Sequence, residues 1–87
     1  MKLNRNDRIY YTGDMANLEG EGTISRVGNN GYGDQCDIVM DDGRLMRGVY
    51  FLAFEGGPGQ RFYLLKEWEA KRQARIDAFV SKYSEIK

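Results

Sequence analysis

Asp7-Arg8-Ile9-Tyr10-Tyr11-Thr12-Gly13-Asp14, Glu19-Gly20-Glu21-Gly22-Thr23-Ile24-Ser25-Arg26-Val27 and Asp37-Ile38-Val39-Met40-Asp41-Asp42-Gly43 all lie within the stretch Asp7–Gly43 and carry its strand pattern. Short β-type runs are separated by glycine-rich turns. In the first run Ile9 and Tyr11 share one face, because side chains alternate along a strand. In Gly22 to Val27, Ile24 falls on one side and Thr23, Ser25 and Val27 on the other; a bulge or bend near Arg26 would reconcile Ile24 with Val27. Gln35 to Met40 alternates Cys36, Ile38 and Met40 against Asp37 and Val39. Asp42-Gly43 then signals a two-residue hairpin of type I′, with Arg44 to Arg47 returning as a fourth strand. Short strands joined by tight turns predict a small, strongly bent barrel.

Outward from this core, residues 1–7 read as a polar lead-in. Thr12 to Glu21 reads as a long loop in which Leu18 folds back on the core. Gly28 to Asp34 reads as a flexible connection, since Asn and Gly adopt positive φ readily. Val49 to Glu55 is almost continuously apolar, Gly56-Gly57-Pro58-Gly59 follows, and Gln60 to Leu65 is apolar again. This pattern fits a hairpin or two short strands around a mobile loop; a strand followed by a 3₁₀ turn would look the same. Lys66 to Ser84 is the one clear helix. At about 100° per residue, Leu65, Trp68, Ile76, Phe79 and Tyr83 fall on one stripe, read here as facing the core, with Val80 on its border. Arg72 falls near the centre of that stripe and must snorkel, stack on Trp68 or pair with a carboxylate. Ala70, Ala74 and Ala78 supply helix propensity, and Glu67 with Lys71 makes a favourable i,i+4 pair. The expectation is a single domain, 1–87, with a barrel over about 7–65 and a helix over about 66–84.

Composition bounds the function. The chain has 87 residues, 41% of them apolar and 13% aromatic, which suits a folded globule rather than a disordered segment. A chain of this size buries about 60–65% of the surface its unfolded form exposes. Thirteen basic and thirteen acidic groups cancel, which counts against non-specific nucleic-acid binding. The balance is uneven: residues 1–59 carry six basic and nine acidic groups, and residues 60–87 carry seven and four. With no histidine and a single cysteine, Cys36, there is no zinc site of the usual nitrogen and sulfur kind, and the commonest general base near neutrality is missing. Cys36 reads as a small buried core thiol. No signal peptide, disulfide framework or long apolar run is visible, so a cytoplasmic protein with no membrane association is expected.

From Asp7 to Val27 the chain resembles the KOW motif and, more broadly, SH3-like and Tudor-like barrels. The resemblance rests on Ile9 and Tyr11, the turn glycine Gly13, Gly20 and Gly22, and Ile24 with Val27 after them; Asp41-Asp42-Gly43 resembles an acidic hairpin between later strands of such barrels. It implies a mainly β fold, an SH3-like barrel of about five strands with a C-terminal α-helix. It also implies contact with RNA or protein partners. KOW motifs often carry basic residues around their glycine, whereas Glu19 and Glu21 flank Gly20 here, which counts against RNA contact by that loop.

Four sets of side chains carry candidate chemistry. Tyr10, Tyr32, Tyr50 and Tyr63 are aromatics on strand edges and loops, where small barrels bind peptides or bases; tyrosines also fill half-buried positions on any β surface. Lys71, Arg75 and Lys82 lie within about 40° of one another on the helix and could follow phosphates or an acidic partner, or simply be solvated. Arg26, Arg44 and Arg47 come from neighbouring strands and could form an anion site or pair with Asp37, Asp41 or Glu55. Asp34, Asp37, Asp41 and Asp42 do not match a calcium loop, and the glycine-rich loops match no phosphate-binding motif.

These readings converge on a small non-enzymatic binding module. The first expectation is a protein-interaction or adaptor domain using Tyr10, Tyr32, Tyr50 and Tyr63. The alternative is a nucleic-acid-binding accessory domain using Arg26, Arg44, Arg47, Lys71, Arg75 and Lys82. No cofactor or metal is expected. The helix could also present part of its stripe to a second copy, giving a homodimer.

Overall fold

The alternation between Arg8 and Met40 folds as an antiparallel meander. The computed structural model of the chain describes residues 2–84. Strand β1 (Arg8–Tyr11) pairs with β2 (Gly20–Asn29), β2 with β3 (Asp34–Met40), and β3 with β4 (Leu45–Tyr50). A 3₁₀ turn (Phe51–Phe54) leads to β5 (Phe62–Leu64), which returns to the free edge of β1. The helix α1 (Leu65–Ser84) follows directly. The sheet order is β4-β3-β2-β1-β5, so β4 and β5 are its two edges and the sheet is not closed into a barrel. The 3₁₀ turn bridges the gap, touching β3, β4 and β5. Its buried Phe54 ring lies 5.4 Å from that of Phe62.

One face of the sheet makes the core. Ile9 and Tyr11, Ile24, and Cys36, Ile38 and Met40 bury their side chains with Leu3, Phe51 and Phe54. Large apolar side chains buried this fully contribute roughly 1.5–3 kcal/mol each. The β2–β3 register slips between Ile24 and Arg26, leaving Ser25 as the bulged residue. The slip sets Val27 opposite Cys36, on the same face as Ile24, as the sequence pattern required. A second slip, between Cys36 and Ile38 on β3, faces Gly48 on β4. Gly48 adopts φ +65° and donates its amide to Asp37 Oδ1 at 3.0 Å.

Several local expectations are corrected. Asp42-Gly43 is not a type I′ turn, because of its two residues only Gly43 has positive φ. Gly43 donates to the Met40 carbonyl at 2.9 Å and Met40 to the Arg44 carbonyl at 2.8 Å, the pattern of a three-residue loop closed by a glycine bulge. The segment after β4 is the strand-plus-3₁₀ alternative rather than a hairpin. The lead-in is tied down: Leu3 is buried, and the Asn6 amide donates to the Ile24 carbonyl at 2.7 Å. Leu18 does not fold back; it is exposed, and only its carbonyl is used, accepting from Arg44 Nη2 at 2.9 Å.

The largest correction concerns α1. The helix packs on the outer face of β1 and β5, opposite the core, and only its first turns do so. Leu65 and Trp68 are half-buried there. Further along the same stripe, Ile76 is 45% exposed, Phe79 61%, Val80 57% and Tyr83 58%. The cause is a mismatch of lengths. Twenty helical residues span about 30 Å, whereas the four-residue β1 they follow spans about 13 Å. The far half of α1 has no sheet beneath it.

Candidate interaction surface

The surface starts from two cross-strand tyrosines. The β1–β5 register sets Tyr10 directly opposite Tyr63, both on the outer face because Ile9 and Tyr11 point inward. Trp68, one turn into α1, stacks on Tyr10 with centroids 4.5 Å apart and planes 10° apart, and tilts against Tyr63 at 5.0 Å. The Lys71 ammonium lies 5.2 Å from the Tyr63 centroid, within cation–π range. These contacts anchor the helix.

Beside this anchor lies an open cleft of about 480 Å³ lined by Tyr10, Glu19, Gly20, Glu21, Trp68 and Arg72. Its carboxylates are already engaged. The Tyr10 hydroxyl donates to Glu19, and Glu21 accepts from Arg8 Nη2 at 3.1 Å. Arg8 also grips Asp41 with two bonds of 2.7 Å and donates to Thr23 Oγ1 at 2.9 Å. That pairing raises the Arg8 pKa and lowers that of Asp41. The bond to Glu19 raises the Tyr10 pKa, and the nearby Arg72 charge opposes the shift without reversing it. Arg72, left on the apolar stripe by the sequence, therefore faces this acidic rim.

The four candidate tyrosines separate into two pairs. Tyr10 and Tyr63 belong to the helix anchor. Tyr32 and Tyr50 lie at the other end of β2: the Tyr50 hydroxyl accepts from Asn30 Nδ2 at 2.7 Å, and Tyr32, at the tip of the β2–β3 connection, is 93% exposed. The three barrel arginines do not converge either. Arg26 stands opposite Asp37. Arg44, beyond the far end of β3, bonds Asp42 at 2.7 Å, and Arg47 is exposed on β4. Arg75 and Lys82 are exposed on the outer half of α1, with Lys71 nearer the sheet.

Among the described residues no three His, Cys, Asp or Glu side chains converge to hold a metal ion, and no helix is long and apolar enough to cross a membrane. Cys36 is buried, and burial with the neighbouring Asp37 charge pushes its thiol up to about 11, so it stays protonated at neutral pH.

The overhang is not visible in the sequence pattern. Ile76, Phe79 and Tyr83 read as core-facing, with Val80 on their border, because period and polarity alone cannot distinguish a stripe that meets a sheet from one that runs past it. The signal that could have found them was the length of the helix against the length of the strands. The chain matches no protein-family model, no curated protein and no solved structure.

Proposed function

We propose that this chain is a non-enzymatic protein-interaction module on an SH3-like, KOW-type frame, with α1 as its contact arm. The carrying observation is the exposed row Ile76, Phe79, Val80 and Tyr83 beyond the edge of the sheet. Phe79 and Tyr83 pack against each other with centroids 4.4 Å apart, so the row is a shaped aromatic surface. Met15 and Leu18, also exposed, lie in the β1–β2 loop, at the end of β1 toward which α1 runs as it passes from Arg8 beside Leu65 to Gly20 beside Arg72. Large contiguous apolar patches left exposed mark interaction sites, and aromatic anchors dominate their energetics. The 3₁₀ turn bridging the two sheet edges supports the SH3-like reading of the frame.

The test is crosslinking from defined positions in the intact chain. A benzophenone side chain in place of Phe79 is expected to crosslink to another polypeptide. The same group in place of Leu52, which is exposed but lies off the helix, is not. Equal capture from both positions would remove the reading. Nucleic-acid binding would rest on Lys71, Arg75 and Lys82 without the scattered arginines. An amide titration with short single-stranded RNA is expected to leave those three residues unshifted.

A further inference from the structure

We infer that the occupant of the α1 arm is an acidic amphipathic helix of another protein; this rests on the interaction reading above. The stripe of Ile76, Phe79, Val80 and Tyr83 has i, i+3, i+4, i+7 spacing, the pattern by which one helix lies along another. Its two borders differ. Arg75 and Lys82 run along one, about 90–110° from the centre of these four residues, and Lys71 continues it toward the sheet at about 130°. The other border holds Gln73 at about 70° and Asp77 at about 110°, and Asp77 accepts from Gln73 Nε2 at 2.9 Å. A helix lying on the stripe therefore meets one border whose charged side chains, among the described residues, are all basic, and carboxylates on its facing edge complement them.

A second copy fits this surface poorly. In an antiparallel two-fold pair each border faces its own twin, which sets Arg75 and Lys82 against their counterparts at like charge. In a parallel pair the sheets of both copies, which sit on the stripe side over Leu65 to Arg72, would have to occupy the space between the helices. A membrane surface is opposed by Glu67, Glu69 and Asp77 on the same helix.

The experiment uses the full chain, labelled for amide NMR, and three synthetic helical peptides. They share one apolar stripe and carry Glu, Gln or Lys along its borders. The Glu peptide is expected to bind about tenfold or more tighter than the Lys peptide at low salt, with shifts on residues 71–83 and an advantage that shrinks as salt rises. Arg75→Glu with Lys82→Glu, both at exposed positions, is expected to invert the order. Equal binding of all three peptides at the stripe overturns the inference and leaves the interaction reading standing. Binding of none, or concentration-dependent dimerisation through the stripe, also overturns it. None of these peptide outcomes removes the underlying reading, which falls on equal crosslinking from positions 79 and 52, so the two failures are distinguishable.

Discussion

Gly22 has no room for a methyl group. A Cβ there would sit 2.9 Å from Met40 Sδ, 2.9 Å from the Val39 carbonyl oxygen and 3.0 Å from Ile38 Cγ2. The carbonyl cannot move without disturbing the β2–β3 ladder, so Gly22→Ala is expected to destabilise the fold by about 1–3 kcal/mol in a urea titration. An unchanged midpoint would mean that the strands can separate there at no cost. Asp14 governs a different axis. Its carboxylate accepts from the Tyr11 hydroxyl and from the Ala16 and Asn17 amides at 2.8 Å, and these bonds hold its pKa down to about 2 from 3.8. A depressed carboxylate stabilises the fold above its unfolded pKa and loses that contribution as pH falls through the folded one. Acid titration should therefore show stability falling between 3.8 and about 2, with Asp14→Asn shallower over that range. Tyr11 has the opposite sign: burial, then its bond to Asp14, raises its pKa, so stability falls as pH climbs above 10.0. The protonated, enclosed Cys36 is expected to resist iodoacetamide until the chain unfolds.

At the scale of elements, α1 should behave as two halves. Trp68→Ala removes the stack on Tyr10 and the contact with Tyr63 and is expected to cost about 2 kcal/mol. Phe79→Ser with Tyr83→Ser removes rings already more than half exposed. That pair should shift stability by about 0.5 kcal/mol or less while abolishing the position-79 contact. Comparable losses from both changes would mean the stripe is packed. This division is also where the sequence stopped being informative. The strands β1 to β3, the bulge after Ile24 and the helix were legible because alternation, the clash between Ile24 and Val27, and a 3.6-residue period are local signals. Residues 49–65 stayed ambiguous because an apolar run carries no period that separates strand from 3₁₀ turn. The anchor was legible only in pieces. Tyr10 and Tyr63 stand out in the sequence as strand aromatics, but their pairing depends on β5 returning beside β1, a contact between distant segments. Arg72 stands out in the sequence as a charge on the apolar stripe, and the cleft it lines exists only in the fold.

The molecule as a whole carries the signature of the arm. A compact chain of this length has a radius of gyration of about 12 Å, whereas this one has 15.5 Å and extents of 57 × 26 × 24 Å. The excess comes from the outer half of α1, since the sheet and its 3₁₀ turn form one packed unit. Such a helix is held at one end by Trp68 and elsewhere by its own hydrogen bonds. An unsupported helical stretch as short as the overhang, residues 76–84, is marginal in water on its own. Small-angle scattering of the free protein should therefore give a radius near 15.5 Å if the arm stands away from the sheet. Amide exchange should then be rapid over residues 76–84 and slow in β2 and β3. A radius near 12 Å with protected amides at 76–84 would show the stripe folded back on its own sheet. In that case there would be no free apolar arm for a partner to cover. An extended radius with protection of those amides appearing only when the acidic peptide is added would tie ordering of the arm to binding. The free energy of docking would then be offset in part by the cost of fixing the helix, which favours a readily reversible contact over a permanent one.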